Sequence, residues 1–343
     1  MATIKEVARR AKVSVGTVSN VLSGAVPVSD SLRERVMRVI RELDYHPNHV
    51  ARSLKIRQTK MLGMVVSDLT NPFFPQVVRG AEDAAWKNDY MLLTFNCDDQ
   101  VDRERQVFSA LRARRVDGIL LVAASTAGEL SHIRGAVEAG IPVVCLDRTL
   151  EGIALDAVTV DNIGGSRLAV EHLLRAGHRR IGIITGSLEL QIAQDRLEGY
   201  RQALAAAGIG FSQDLVADGH FRLEAGHQAA LRLLEHKPTA VFASNAMMAL
   251  GLLRALSERR LRCPEDVAVV TFDDPVFSEA LRPTLTAVAQ PSYELGLRGA
   301  EMLLRRIVEP AAERAHVVLN AELMVRESSR SIRAAGSSGR SVA

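Results

Sequence analysis

Hydrophobic positions near the N-terminus recur at helical spacing, and from residue 60 onward they gather into short apolar runs. Ile4, Val7, Ala8 and Ala11 fall on one face of a helix, and Thr3 followed by Glu6 has the spacing of a capping box. Ser14 is suited to N-cap a second helix whose Val18, Val21 and Leu22 face inward. A third helix is predicted over residues 31–44, where Leu32, Val36, Val39, Ile40 and Leu43 repeat with arginines between them. Three short helices around a small apolar core, with a tight turn between the first two, describe an all-α helix-turn-helix.

The second of these helices is unusual. Its sequence, VSVGTVSNVLSG (13–24), mixes β-branched valines with hydroxyl residues and a glycine, a poor composition for helix propensity. Such residues make sense where a helix must lie close against something. Val15, Gly16, Thr17, Ser19 and Asn20 are candidates for a face that enters a DNA major groove, and the free backbone N–H groups after Ser14 suit a phosphate. Next comes YHPNHVARSLK (45–55), in which Pro47 and Asn48 can end one helix and start another of about two turns. A helix so short is marginal in isolation. Arg52, Lys55 and the lone Leu54 fit a helix that forms on DNA, with Leu54 wedged between base steps in the minor groove.

In the rest of the chain, β-rich apolar runs stand at 61–69, 90–97, 117–124 and 141–147, with helical stretches between them. A second series follows at 180–186, 239–245 and 267–274. Alternation of this kind predicts parallel sheets with covered faces, and two series predict two doubly wound α/β subdomains. The stretches LTAVAQP and HVVLNAELMVR are read as crossing back between them, which makes each subdomain discontinuous. Polar and aromatic residues collect where the apolar runs stop. Asn71, Phe73, Phe74, Asp147 and Arg148 would face Arg196, Phe221, Asn245, Asp273 and Gln290 across a cleft. An Asp-Arg pair alone is an ordinary surface ion pair, and a Phe pair alone is ordinary core. Recurrence at consecutive strand ends points instead to a small, uncharged polyol, whose hydroxyls donate and accept while its C–H faces pack on rings.

Charge sharpens the division. Residues 1–60 hold 12 Lys/Arg and 5 Asp/Glu, a net +7, so the remainder carries −4 of the whole-chain +3. A basic head on a mildly acidic body suggests a polyanion partner for the head alone. Cys97, Cys145 and Cys263 are odd in number and lack metal spacing, so they are read as unpaired core thiols of a reducing cytoplasm. No signal segment, membrane span, cofactor motif or metal motif is read, and none of the nucleophile, zinc or P-loop signatures of enzymes occurs. His172 and His178 are expected to cap helix-end carbonyls rather than to catalyse. The Ser/Gly-rich segment 331–343 is expected to be disordered.

The pairing of TIKEVARRAKVSVGTVSNVLSG with LDYHPNHVARSLK resembles the lactose-repressor (LacI/GalR) family of bacterial transcription regulators. The resemblance implies a repressor that binds a near-palindromic double-stranded DNA operator as a homodimer or tetramer, in the cytoplasm and on the nucleoid. Val15, Gly16 and Asn20 would read bases, Ser14, Thr17 and Tyr45 would touch phosphates, and Leu54 would be the minor-groove lever, with Ala51 and Lys55 beside it. The body is similar to periplasmic sugar-binding proteins, and the ten strand-end residues match a ribose-type pocket. The implied division is a head over 1–46, a hinge over 47–59 and an effector body over 60–330. Within the body, one subdomain takes about 60–160 and 290–318, the other about 161–289 and 319–330. Relatives often carry an acidic residue where Ala246 stands, and the purine-binding branch has an arginine at the position of Leu190. Two alternatives keep the same body: a transport-binding protein, and a catabolite-control regulator that docks a phosphocarrier protein. Leu54→Ala is expected to weaken specific operator binding by a few kcal/mol, the scale of an unstacked step, and to leave sugar binding unchanged. A mobility-shift titration at fixed salt measures it.

Overall fold

The structure is a computed structural model in which residues 2–23, 26–45 and 58–330 are described. It divides into a unit ending at Thr59 and a second beginning at Lys60. In the first, helices α1 (Ile4–Ala11), α2 (Val15–Ser23) and α3 (Asp30–Glu42) enclose Val7, Ala8, Ala11, Val18, Val21, Val36 and Val39. Thr3 caps α1 by accepting from the Glu6 amide at 3.3 Å, whereas the Glu6 carboxylate lies 3.6 Å from Arg9, so only one half of the expected capping box is seen. α3 starts one residue earlier than expected, after an extended Ser29, because Asp30 in the first turn complements the helix dipole. It stops at Glu42, two residues short of the expected end, and Leu32 on it is only half-buried. Tyr45 closes the core from beyond the helix.

The second unit contains two six-stranded sheets, one per lobe. Lobe 1 has β1 (Met61–Val66), β2 (Met91–Asn96), β3 (Gly118–Leu121), β4 (Val143–Leu146), β5 (Asp156–Val160) and β11 (His316–Leu319), in the order β11-β5-β4-β3-β1-β2, all parallel. Lobe 2 has β6 (Ile181–Thr185), β7 (Val216–Asp218), β8 (Ala240–Ala243), β9 (Ala268–Phe272), β10 (Thr286–Ala289) and β12 (Glu322–Met324), in the order β12-β10-β9-β8-β6-β7. Only β12 runs antiparallel, on β10. Strands β5 and β7 have no counterpart among the apolar runs. β5 is interrupted by Asp156 and Thr159, and β7 is three half-buried residues. The remaining strands are shorter than their runs because the polar ends turn out of the ladder into the loops.

The lobes are joined by three passages of chain: Val160 into α7 (Asn162–Arg175), β10 into α11 (Ser292–Val308), and β11 into β12. Ala321, in the last passage, packs against the cores of both lobes. α11 follows a strand of lobe 2 yet lies against α4 (Phe73–Lys87) of lobe 1. Their backbones nearly touch. A Cβ on Gly296 would stand 1.8 Å from the Val77 carbonyl oxygen, and one on Gly80 would stand 2.0 Å from that of Tyr293.

The two histidines differ from expectation: His172 Nε2 lies 2.7 Å from the Ser329 hydroxyl and His178 Nδ1 lies 3.1 Å from that of Thr239, so neither caps a carbonyl. Burial holds both imidazoles below the ordinary value. They tie the C-terminal segment and the β8 approach to α7. All three cysteines are unpaired, with Cys97 and Cys145 buried and Cys263 half-buried. Among the described residues no helix is long and apolar enough to cross a membrane. Gly296→Ala is expected to lower stability by about 1–3 kcal/mol, the usual cost of overpacking, because the obstacle is backbone that no rotamer can clear. Urea denaturation of the variant measures it.

Candidate functional site

In the head, Ser14 Oγ accepts from the Thr17 amide at 3.0 Å and lies 2.9 Å from the Thr17 hydroxyl, so the two expected phosphate contacts are paired at the start of α2. Val15 is 41% exposed, an apolar surface offered to solvent by a nine-residue helix. Gly16 is also exposed, and a Cβ there would meet nothing closer than Ser14 Oγ at 3.5 Å, so its outer face is open. Asn20 is half-buried and Tyr45 is buried in the core, which leaves Tyr45 little surface beyond its ring edge. Ala51, Leu54 and Lys55 lie outside the described residues.

In the body, the ten strand-end residues all line one cavity between the lobes, together with Ser67, Asp68, Asp99, Ile192 and Arg222. The cavity enclosed among them is small, about 30 Å³, because side chains of the two lobes nearly fill the cleft. Lobe 1 supplies Asn71 with Phe73 and Phe74 from the first turn of α4, and Asp147 with Arg148 from the end of β4. The Phe rings meet edge to face at 5.0 Å, and Asn71 Oδ1 accepts from the Phe73 amide at 3.2 Å. Lobe 2 supplies Arg196 from α8 (Gln191–Ala206), Phe221 from the loop after β7, and Asn245, which caps α10 (Ala246–Glu258). Asn245 accepts from the Met248 amide at 2.8 Å and donates to the Phe221 carbonyl at 3.0 Å. Phe221 itself fills the space above Gly186, where a Cβ would stand 2.0 Å from its ring.

Arg196 is the buried centre of this set. Its Nε donates to Asn162 at 2.8 Å and its Nη1 to the Ser244 carbonyl at 2.5 Å, while the guanidinium stacks over Phe272 at 3.8 Å. Asp147 and Asp273 occupy corresponding places, each directly after a strand of its lobe and each with a left-handed backbone, φ 66° and 70°. Left-handed non-glycine residues cost free energy and collect at functional sites. Burial pushes both carboxyls up, and the nearby guanidinium groups, Arg148 for Asp147 and Arg196 for Asp273, pull them partly back. Burial likewise lowers Arg196. Gln290 Nε2 donates to Asp273, and Arg148 Nη1 donates to Asp99 at 2.9 Å and to the Ala123 carbonyl at 2.6 Å.

Several buried polar atoms on this lining make no hydrogen bond: Ser67 Oγ, Gln290 Oε1 and Arg148 Nε, the last lying 3.6 Å from Asp147 Oδ2. Such groups are rare in native structures and call for a ligand or water. Donors, acceptors and carboxylates beside aromatic faces can hold a polyhydroxylated ring. No nucleophile–base pair is assembled in the cavity, and among the described residues no cluster has the ligands for a metal ion. Asp99 follows β2 and would have emerged from the same strand-end reasoning, since CDDQ ends that apolar run. Arg222 adjoins Phe221, and Asp68 stands three residues before Asn71, but only the closure of the lobes brings them together.

Residues 3–48 match the bacterial regulatory proteins of the lacI family, and residues 170–329 match a periplasmic binding protein-like domain. Over 337 residues the chain is 38% identical to the ribose operon repressor of Haemophilus influenzae, covering 97% of this chain and 100% of that one. The chain belongs to the LacI family. It is also 35% identical to the HTH-type transcriptional repressor PurR of Vibrio campbellii, over 95% of this chain and 98% of that one. The structure is similar to that of the lac repressor dimer bound to operator and the anti-inducer ONPF, with TM-score 0.84, 28% identity and coverage of 96% and 99%. A LacI family transcriptional regulator from Enterococcus faecium with bound ribose matches with TM-score 0.72, 32% identity and coverage of 79% and 99%. These LacI-family relatives are transcription regulators, not enzymes.

The raised carboxyls carry a consequence for pH. The native state holds the Asp147 and Asp273 protons more tightly than the unfolded chain, so their favourable contribution is present below the ordinary value of 3.8 and is lost as pH rises through the native values. A ligand whose hydroxyls donate to the carboxylates favours their ionised forms. Its affinity is therefore expected to strengthen as pH rises through that window, with proton release. Calorimetry in buffers of different ionisation enthalpy measures the release, and Asp273→Asn should diminish it.

Proposed function

We propose that the protein is a DNA-binding transcriptional repressor whose operator affinity is controlled by a small neutral sugar, best read as ribose or a related pentose, held in the interlobe cleft. The observation that carries the reading is the buried Asp147–Arg196–Asp273 arrangement, in which carboxylates from both lobes lie within electrostatic reach of one guanidinium beside aromatic rings. A sugar that bonds Asp147 and Arg148 on one side and Arg196 and Asp273 on the other ties the lobes together. The ribose named in the Enterococcus faecium relative and the ribose operon of the Haemophilus influenzae repressor support a pentose. The purine alternative raised by the PurR relative is disfavoured because Leu190, buried before α8, stands where the purine-binding branch carries arginine.

In this reading two heads of a homodimer grip half-sites of a near-palindromic operator, with Val15, Gly16 and Asn20 toward bases and Ser14, Thr17 and Tyr45 toward phosphates. Leu54 is the minor-groove lever of the hinge, and Ala51 and Lys55 are further DNA contacts. The protein works in the cytoplasm, on the nucleoid when operator-bound. Sugar acts as inducer by favouring the closed body, and it shifts DNA affinity only by its differential affinity for the two states, typically about 1–3 kcal/mol.

Asp273→Ala is expected to abolish the sugar response while the protein stays folded and operator-bound. Hydrogen bonds to charged groups contribute about 1.5–3 kcal/mol, so loss of this one weakens D-ribose by roughly tenfold or more. Calorimetry with D-ribose tests it: ribose binding of unaltered affinity in the variant removes the pocket from this position.

A further inference from the structure

The residues of the cleft divide by depth. Asp147, Arg196 and Asp273 form its floor, at 3%, 3% and 5% exposure, whereas the Arg222 side chain is 37% exposed and that of Asp99 is 30%; Asp68, at 8%, lies below them near the depth of the floor. Arg222 is the N-cap of α9 (Leu223–Glu235) in lobe 2, and its guanidinium reaches across to lobe 1. There Nη1 donates to Asp68 Oδ2, and Nη2 to Asp99 Oδ2 at 3.4 Å. Both acids are held from their own lobe: Asp68 Oδ1 accepts from the Thr70 hydroxyl at 2.6 Å and amide at 3.0 Å, and Asp99 Oδ1 accepts from Arg148 at 2.9 Å.

Arg222 is equally constrained. The two residues before it, His220 and Phe221, are both left-handed, φ 50° and 57°, and the His220 amide donates to Asp218 Oδ1 at 2.8 Å. A turn of two left-handed non-glycine residues persists only where its surroundings enforce it. The turn places Phe221 against the cavity and Arg222 over the rim. Asp68 anchors the guanidinium from a buried position, but Arg222 and Asp99 are 37% and 30% exposed, and an ion pair so open to water contributes little to folding. It is therefore a contact that can break and reform as the lobes move, unlike the buried floor.

We propose that Arg222, with Asp68 and Asp99, forms a gate across the mouth of the cleft that holds the lobes closed and limits the effector to a single sugar ring. The proposal deepens the sugar-responsive reading above and rests on it for the ligand class. With the ion pairs made, the rim is bridged by protein, and a second ring linked to the first would have to displace the guanidinium. Specificity for a monosaccharide then comes from a group at the mouth, separate from the groups that bond its hydroxyls on the floor.

The test uses the full chain in two arms. In the first, spin labels on Arg112→Cys in lobe 1 and Gln202→Cys in lobe 2 report the interlobe distance without ligand. Arg222→Ala should widen that distribution, and Arg222→Lys, which keeps a cation within reach of one carboxylate, should restore part of the closure. In the second, calorimetry compares D-ribose with cellobiose. The protein should prefer the single ring, and Arg222→Ala should reduce that preference by about tenfold. An unchanged distance distribution, or an unchanged preference, overturns the gate. If the unaltered protein binds neither D-ribose nor another monosaccharide, the sugar reading fails, while the label distances still decide whether Arg222 closes the cleft.

Discussion

Removal of the Arg196 guanidinium from water is the constraint around which the body is organised. A buried charge is tolerated only when its hydrogen bonds and counter-charges are supplied. Here Asn162 and the Ser244 carbonyl take two of its donors, the Phe272 ring covers one face, and Asp147 and Asp273 provide opposite charge. Each partner comes from a different place in the chain. Asn162 opens the helix after a passage between lobes, Ser244 follows β8, Asp273 follows β9, and Asp147 follows β4 in the other lobe. The carboxyls are raised all the same, so compensation is incomplete. That residual imbalance, with the unsatisfied atoms of Ser67, Arg148 and Gln290 nearby, is what makes the cleft receptive to hydroxyl groups.

The same guanidinium is bonded to the segment that joins the lobes. Asn162 also donates to the Val160 carbonyl at 3.1 Å, across the passage from β5 into α7. The buried guanidinium is thus bonded, through Asn162, to a passage of chain between the lobes. The crossing of α4 and α11 at Gly80 and Gly296 packs a helix that enters from lobe 2 tightly onto lobe 1.

The head has different requirements. Its core is a handful of small apolar residues and one tyrosine, and α2 spends its outward positions on Val15, Gly16 and Thr17 rather than on long solvated side chains. Small groups on an exposed helix add little stability but permit close approach to a groove, and the basic residues of the first sixty positions supply the long-range attraction.

The alternation of apolar runs with helical stretches was enough to identify two doubly wound lobes, because buried parallel strands must be nearly continuous in hydrophobic residues. The helix-turn-helix was equally legible in the spacing of Val7, Ala8, Ala11, Val18 and Val21. Strand ends in α/β sheets converge on one side, so the ten cleft residues could be chosen from the chain alone, and all ten line the same cavity. The short strands β5 and β7 escaped notice, since their pairing depends on neighbours rather than on their own composition. The hydroxyl partners of His172 and His178 likewise come from residues 157 and 61 positions away. The ion pairs of Arg222 with Asp68 and Asp99 join residues 154 and 123 positions apart. No local pattern encodes such contacts: the histidine pairs form only when lobe 2 folds, and the Arg222 pairs only when the two lobes are brought face to face.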